Sequence, residues 1–276
     1  MEQGTKRKAD DASANAEKRL KTKRQWRVPR RGDPPKTIEP GDSGVWVTCS
    51  KGKEGKCIGE ILDLFTEYAE RLYPEAKNGQ EQDDAEADDD EEDIEKAIKA
   101  EVDDIRKPGA ARLFTPVKIN VQCVIFIKTI APVDPVVLVK TICEEAMENR
   151  ARKRTRFAQR MSPMTLMGRA STEGLEKVAE EVLAPQFHQE PFKKRTFAIR
   201  PTLRNHNILT RDSVIKQVAS LVGPGHQVDL KNYELLVVVE VYQHICGVSV
   251  VDDSFERLKR YNISEIFDPT PKDEAK

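Results

Sequence analysis

The chain has 276 residues, which suits about two domains because one domain usually takes roughly 100 to 200 residues. Hydrophobic residues make up 38% and charged residues 34%, a composition that permits a packed core but leaves stretches too polar to join one. No apolar run approaches the ~18 residues of a membrane span, and the basic N-terminus has no apolar signal segment, so we expect a soluble, unsecreted protein with no membrane partner.

The net charge of −1 results from charged blocks of opposite sign. Residues 1–36 hold twelve bases against five acids, residues 75–104 hold fifteen acids against three bases, and residues 149–169 hold seven bases and no acid. Charge runs without apolar partners are typical of disorder. We therefore predict a disordered basic tail over 1–38, an acidic insert over 76–102 and a disordered end over 267–276. The third block alternates with apolar residues and is expected to fold.

The first half is predicted to run strand, helix, strand, strand, helix, strand, an order typical of ferredoxin-like folds. Apolar residues at helical spacing from Ile58 to Leu72, stopped by Pro74, predict the first helix, and Asp134 before Pro135 predicts the N-cap of the second. A further short helix is expected at the end of the acidic insert, over 94–105. The four strands are expected over 44–50, 113–121, 123–129 and 153–161.

The second half also mixes helices and strands, so the whole chain is predicted to be α+β. An apolar stripe from Leu175 to Leu183 predicts a helix ended by Pro185, and a strand is expected over 196–200. Thr210 is expected to cap another helix, which ends at the turn over 223–225. Two apolar segments over 233–241 and 245–251 are close enough to pair as a hairpin.

Five cysteines occur without a C-x-x-C pair, which predicts neither a zinc site nor a disulfide framework and fits a reducing compartment. We expect no metal. The usual catalytic motifs for nucleotide binding, acyl transfer and deamination are missing, so we predict no catalytic residue. The segment over 106–111 fits the R-x-x-G-x-A pattern of acetyl-CoA binding. We interpret it as a chance match, because it follows a helical acidic stretch and Pro108 interrupts it.

The strongest candidate binding feature is a row of arginines in and before the predicted strand over 153–161. Side chains two residues apart share one face of a strand, and five like charges are tolerable only in water or against a polyanion such as a phosphate backbone. A solvated face, or one covered by the acidic insert, is the alternative. The row consists of Arg150, Arg152, Arg154, Arg156 and Arg160, with Lys153 between its members.

A second basic group is predicted in the loop between a strand and a helix N-terminus. Unpaired N–H groups at a helix start, together with Arg, Asn and His side chains, can contact phosphates or the edges of unstacked bases. The alternative is an ordinary polar loop. The predicted RNA-binding residues of this group are Arg200, Arg204, Asn205, His206, Asn207 and Arg211, with Lys216 on the helix that follows.

From about residue 44 to 266 the chain resembles the eukaryotic THUMP-domain adaptors for tRNA cytidine acetylation. The resemblance is nearly full length and depends on several motifs taken together. They are GVWVTC at 44–49 with Lys56-Cys57, DIEKAIKAEV at 93–102, CVIFIK at 123–128, KRTR at 153–156, VDL at 228–230, VVVE at 237–240 and VSVV at 248–251.

The resemblance implies a ferredoxin-like domain over 39–168, which contains the acidic insert, and a THUMP RNA-binding domain over 169–266. It implies a tRNA-binding protein that is not itself the enzyme and that needs no cofactor of its own. The family works beside a separate RNA cytidine acetyltransferase, which uses acetyl-CoA and ATP to make 4-acetylcytidine in the D-arm of serine and leucine tRNAs. No DNA partner is expected.

The function implied by the resemblance places the protein in the nucleus, with the nucleolus left open. Two basic clusters of the N-terminal tail, at 6–8 and 18–24, are expected to serve as the import signal. Two other functions stay open: a general RNA-binding assembly factor, and an acetyl-CoA-dependent acetyltransferase that uses the segment over 106–111.

Overall fold

Two β-sheets with helices packed against them form the described part of the protein. The computed structural model describes residues 37–75, 112–117, 119, 121–150 and 153–270. The predicted basic tail up to residue 36, the acidic insert with its helix over 94–105, the segment over 106–111, Arg152 and residues 271–276 of the predicted disordered end lie outside the described residues. Within the described ranges, no helix is long and apolar enough to cross a membrane.

The first sheet has four strands in the order β2-β3-β1-β4, and every neighbouring pair is antiparallel. One helix follows β1 and one follows β3, as predicted. The Asp134 side chain caps the second helix by accepting from the Val136 N–H at 2.8 Å, which confirms the predicted N-cap. The elements are β1 (Ser43–Cys49), α1 (Glu54–Leu72), β2 (Phe114–Val117), β3 (Val124–Thr129), α2 (Pro135–Glu148) and β4 (Ala158–Met164).

The predicted strand over 153–161 is wrong at its start, because β4 begins at Ala158. The backbone N–H groups of Arg156, Phe157 and Ala158 all donate to the Glu60 carboxylate of α1, at 2.6, 3.1 and 2.9 Å. A strand points successive N–H groups to opposite sides, whereas three groups that converge on one carboxylate require a bend. The side chains before Ala158 therefore do not alternate between two sheet faces.

The second sheet has five strands in the order β5-β9-β8-β6-β7. β8 and β9 form the predicted hairpin, and β6 is parallel to both β7 and β8. Two helices, α3 and α4, pack on one face of this sheet over an apolar core of their own. The elements are β5 (Leu166–Arg169), α3 (Thr172–Phe187), β6 (Thr196–Arg204), α4 (Arg211–Val222), β7 (Gln227–Val228), β8 (Leu235–Tyr242) and β9 (Ile245–Asp252).

Two boundaries in the second half differ from the prediction because of proline. Pro185 does not end α3 but lies inside it, where its ring nitrogen cannot donate the usual backbone hydrogen bond and the helix still continues to Phe187. β6 does not end at residue 200 but continues through Pro201 to Arg204. Only β8 is paired along this part of β6, so the missing N–H of Pro201 can face the open side. The short strands β5 and β7 were not predicted.

The chain passes from one sheet to the other at Thr165, whose N–H donates to the Val248 carbonyl of β9 at 3.1 Å. On either side of this crossing, Met164 and Met167 pack over Gly247. A Cβ atom built there would lie 2.5 Å from the Met167 sulfur, so only glycine permits this close approach. The free face of the second sheet thereby joins the core of the first.

The C-terminal segment returns to the first half of the molecule. A short helix α5 (Ser254–Arg257) and a turn over Lys259–Tyr261 lead into α6 (Ile263–Phe267), which packs against α2 and β4. All three turn residues have positive φ, between 54° and 56°, a conformation that costs non-glycine residues roughly 1 to 2 kcal/mol each. The buried Tyr261 side chain anchors this turn. In this turn the neighbouring Arg260 is exposed at the surface.

Candidate nucleic-acid interface

The predicted arginine row does not form one face. Arg154 makes an ion pair with Glu67 and lies over the Tyr68 ring, 5.7 Å from its centroid. Lys153 makes an ion pair with Asp268. Intramolecular carboxylates therefore balance both charges. The expectation that the row stands together on one sheet face is wrong, because the bend at Glu60 ends the alternation on which it depended.

Three other members of the row lie apart. Arg150 follows α2 and contacts the Met147 sulfur at 2.7 Å. Arg156 lies over the Phe157 ring at 5.7 Å, and neither arginine makes an ion pair with a described residue. Arg160 is the member that lies within β4. The RNA-binding role of these side chains stays a prediction.

The predicted binding loop connects β6 to α4, and its conformation depends on His206. The His206 Nδ1 atom donates to the Gln243 carbonyl, and Nε2 accepts from the Leu209 N–H at 2.7 Å. Both ring nitrogens are therefore used inside the chain, and neither is available to a phosphate. Asn205 adopts a left-handed conformation with φ of 50°, and Asn207 is exposed beside it.

We expect His206→Ala to destabilise the fold by about 1 to 2 kcal/mol, because it leaves the Leu209 N–H and the Gln243 carbonyl without their side-chain partner. Urea denaturation of this variant and of a matched Asn207→Ala control measures the effect. The control should stay within roughly 0.5 kcal/mol of the unchanged protein. Equal stability of the two variants would show that His206 does not hold the loop.

The start of α4 is capped as predicted. The Thr210 side chain accepts from the Ser213 N–H at 3.2 Å, and the Ser213 side chain accepts from the Thr210 N–H at 2.9 Å. This reciprocal cap uses N–H groups that an anion would need, and Asp212 adds a negative charge to the first turn. The helix start is thus a weaker anion site than the sequence suggests. Arg211 and, one turn further, Lys216 stay exposed.

A 580 Å³ cleft brings part of the arginine row together with the loop group. Arg160 of β4 contributes to it from the first sheet, and Arg200 of β6 from the second. Arg211 at the start of α4 and Arg260 of the C-terminal turn complete a set of four guanidinium groups. We call this feature the arginine cleft. Its other lining residues are Ser162, Pro201, Thr202, Leu203, Val238, Glu240 and Phe255.

Arg200 is held in a defined position within the arginine cleft. Its guanidinium lies 2.5 Å from a Glu256 carboxylate oxygen and 5.5 Å from the centroid of the Phe255 ring. Glu256 also pairs with Arg260 at 2.9 Å. Burial alone would raise the pKa of Glu256, but the hydrogen bonds from Arg260 and Arg200 hold it below its usual value. Glu256 stays charged and positions two arginines at once.

Glu240 lies at the floor of the arginine cleft, on the central strand β8. Burial raises the pKa of its carboxyl group, and this effect is opposed by the nearby Arg204 guanidinium, the Thr202 hydroxyl and Arg160. The carboxyl group therefore balances only part of the positive charge around it. Glu256 offsets part of the charge of Arg200 and Arg260, and four arginines against the two carboxyl groups of Glu240 and Glu256 still leave the cleft positive, as the binding of a phosphate chain requires.

The sequence missed Arg260 and Glu240 as members of this site. The only sequence signal for Arg260 is the short basic group formed with Arg257 and Lys259, which resembles an ordinary charged surface turn. Glu240 interrupts an apolar strand, and an isolated carboxylate in such a strand is an indication of a polar site beneath it. Neither signal identifies a partner 40 or more residues away in the chain.

Four of the five cysteines are buried, and Cys123 is partly exposed. All five cysteine thiols are free, and burial raises the pKa of Cys57, Cys143 and Cys246. A raised pKa keeps a thiol protonated and weakly nucleophilic. Among the described residues, no three His, Cys, Asp or Glu side chains come together as a metal ion would require.

Comparison with known proteins relates the chain to one domain type and to full-length relatives. Residues 169–251 match the THUMP domain model. The chain is 37% identical over 230 residues to an uncharacterized protein of Schizosaccharomyces pombe. The alignment covers 83% of this chain and 77% of that protein.

Two further relatives have names that state a function or a domain. The chain is 32% identical over 252 residues to the tRNA acetyltransferase TAN1 of Saccharomyces cerevisiae, with 84% of this chain and 86% of that protein covered. It is 35% identical over 245 residues to THUMP domain-containing protein 1 of Mus musculus, with 86% and 68% covered. The similarity thus extends beyond the THUMP segment to most of each chain.

Proposed function

Because the chain belongs to the family of THUMP domain-containing proteins, we propose that it is a tRNA-binding adaptor in the acetylation of tRNA. The family supports a tRNA-related role. We propose more specifically that the chain presents serine and leucine tRNAs to a separate RNA cytidine acetyltransferase, which makes 4-acetylcytidine in the D-arm. Acetyl-CoA and ATP would then bind to that enzyme and not to this chain, and the complex would work in the nucleus.

The observation that carries this proposal is the arginine cleft. Arginine binds phosphate oxygens with two parallel hydrogen bonds, and each neutralised phosphate releases counterions. Arg160 and Arg200 come from different sheets, so a bound RNA strand would contact both halves of the molecule. An RNA held in this way has a fixed orientation relative to the protein.

We assign the first sheet to a ferredoxin-like domain, with proposed bounds 39–168, and residues 169–266 to the THUMP domain. The strand order β2-β3-β1-β4 with two helices in the predicted positions supports the first assignment. The match over 169–251 supports the second. The C-terminal helix α6 begins within the second range and ends one residue beyond it, at Phe267, but it packs on α2 and β4, so it fastens the two domains together.

An adaptor would contribute to the reaction by position. A tRNA bound to the adaptor, and an adaptor bound to the enzyme, turn the encounter of enzyme and cytidine into an intramolecular step. The local concentration of the target base at the enzyme rises without any chemical group from this chain. The arginine cleft supports this role, because it offers a positive surface to a phosphate chain.

A second candidate function is that the chain is itself the acetyltransferase. The name of the Saccharomyces cerevisiae relative, tRNA acetyltransferase, favours it. The acetyl-CoA pattern over 106–111, on which this reading depends in the sequence, lies outside the described residues. Binding of acetyl-CoA by the isolated chain separates the two candidates.

The test is a reconstituted reaction with the full chain, the RNA cytidine acetyltransferase of the same organism, acetyl-CoA, ATP and a serine tRNA transcript. We expect 4-acetylcytidine by nucleoside mass spectrometry when both proteins are present, and little or none with either alone. Calorimetry should detect no acetyl-CoA binding to this chain. Product formed by this chain alone would overturn the adaptor role, and equal acetylation of an alanine tRNA would contradict the proposed tRNA choice.

A further inference from the structure

Three exposed apolar side chains lie at one edge of the second sheet, near the start of β6. The loop that leads to α4 follows the opposite end of that strand. Phe192, Val228 and Leu230 are 58%, 59% and 73% exposed. They account for three of the five large exposed hydrophobic residues in the described part of the chain, and the other two, Val137 and Ile208, lie elsewhere. We call these three residues the edge patch. Grouped exposure of this kind marks binding surfaces.

The edge patch is rigid at its aromatic end. The Phe192 ring packs against the His226 ring, with 5.0 Å between centroids, and against Gly225, where a Cβ atom would lie only 2.7 Å from the ring. His226 is itself fixed, because Nδ1 accepts from the Arg195 N–H at 3.2 Å and Nε2 donates to the Phe187 carbonyl at 3.0 Å. One face of Phe192 is thus supported while the other meets solvent, which lowers the entropy cost of binding.

The strand beside the edge patch has an open side. β7 is the last strand of its sheet. The Gln227 N–H donates to the carbonyl of Arg195, just before β6, and the Asp229 N–H donates to the Phe197 carbonyl of β6, each at 2.9 Å. Backbone groups alternate along a strand, so the N–H and carbonyl of Val228 point away from β6. An extended chain can pair with them, as in β-strand addition.

The charges around the edge patch indicate which side chains an extended segment paired with β7 would have. Lys193 and Lys194 are exposed next to Phe192, and neither makes an ion pair with a described residue. Lys231 is exposed beside Leu230. Asp229 is used in a turn, where it accepts from two backbone N–H groups at 2.8 Å, and Glu234 pairs with Arg195 at 3.6 Å. Glu190 is exposed two residues before Phe192, so the lysines outnumber the remaining acids. Apolar side chains bordered by lysines fit a segment that alternates apolar and acidic residues.

We propose that the edge patch is the docking site for an extended, acidic and apolar segment of a partner protein, which adds to β7 as a further strand. Given the proposed function on which this inference rests, that partner is the RNA cytidine acetyltransferase. Aliphatic side chains beside unpaired strand groups suit a peptide better than RNA, because bases stack on aromatic rings and Phe192 is the only ring among the three. The arrangement leaves the arginine cleft free for tRNA.

The test uses the full chain with Val228→Pro, the double change Phe192→Ser with Leu230→Ser, and Val137→Ser as a matched exposed control on α2. Proline removes the outward N–H at 228, so the hydrogen bonds donated by the Gln227 and Asp229 N–H groups stay intact. We expect both edge variants to bind the purified acetyltransferase roughly tenfold more weakly, or worse, in the absence of RNA. The control should bind the enzyme, and all variants should bind tRNA, within about twofold of the unchanged chain.

Hydrogen exchange gives a direct readout of strand addition. Bound acetyltransferase should slow exchange at the amides of Val228 and Leu230, and in Val228→Pro the protection at Leu230 should be lost. Enzyme affinity that is unchanged in both edge variants would overturn the docking site alone. A loss of tRNA affinity instead would assign the edge patch to RNA. If the unchanged chain does not bind the enzyme at all, the adaptor role itself fails.

Discussion

Replacing Arg160, Arg200 and Arg211 together by Ala is expected to weaken tRNA binding by at least about 100-fold. Each guanidinium lines the arginine cleft, and a charge-assisted hydrogen bond contributes about 1.5 to 3 kcal/mol, so even the lowest values exceed the ~2.8 kcal/mol that corresponds to 100-fold. The slope of log affinity against log salt should fall by about 2 to 3, because each phosphate contact contributes about 0.7 to 0.9. Fluorescence anisotropy over a range of salt concentrations measures both quantities.

A second triple variant of equal charge change serves as the control. Arg150→Ala, Arg154→Ala and Arg156→Ala remove side chains of the predicted row that lie outside the cleft, and Arg154 is already paired with Glu67. We expect a loss of less than about tenfold for this triple. Thermal unfolding confirms that both triples fold. An equal loss of affinity in the two triples would mean that overall positive charge, and not the cleft, holds the RNA.

Glu60→Ala is expected to destabilise the fold by about 3 kcal/mol. The carboxylate accepts three backbone N–H groups at the start of β4, and hydrogen bonds to a charged group contribute about 1.5 to 3 kcal/mol each, less here because Glu60 is partly exposed. For a folded part of roughly 200 residues, this corresponds to a Tm about 6 to 12 °C lower. Calorimetry measures it directly.

The control for Glu60 lies three residues further along the same helix. Asp63 is exposed on the surface of α1, so Asp63→Ala should change stability by less than about 0.5 kcal/mol. Glu60→Ala should also weaken tRNA binding, because β4 carries Arg160 into the cleft. Equal unfolding temperatures for the two variants would show that the bend before β4 does not depend on Glu60.

Local signals explain why much of the fold could be predicted. The cap at Asp134, the reciprocal cap at Thr210 and the hairpin of β8 and β9 depend on residues only a few positions apart. The prediction at Pro185 was wrong because a proline costs a helix one backbone hydrogen bond without always ending it, and α3 continues to Phe187. The short strands β5 and β7 carry too few residues for a period to be visible.

The sequence by itself determined that this chain folds as α+β with opposite charge blocks, and its motifs identified the THUMP-domain family. Only the tertiary structure decided which charges act together. Glu60 bends the backbone of residues 96 positions away, which ends the alternation that the arginine row needed. Arg160 and Arg260 reach one cleft because two sheets and the C-terminal turn meet there. The interaction between two charges depends on the distance between them in the folded protein, whereas a sequence period indicates only which residues of one helix or strand share a face.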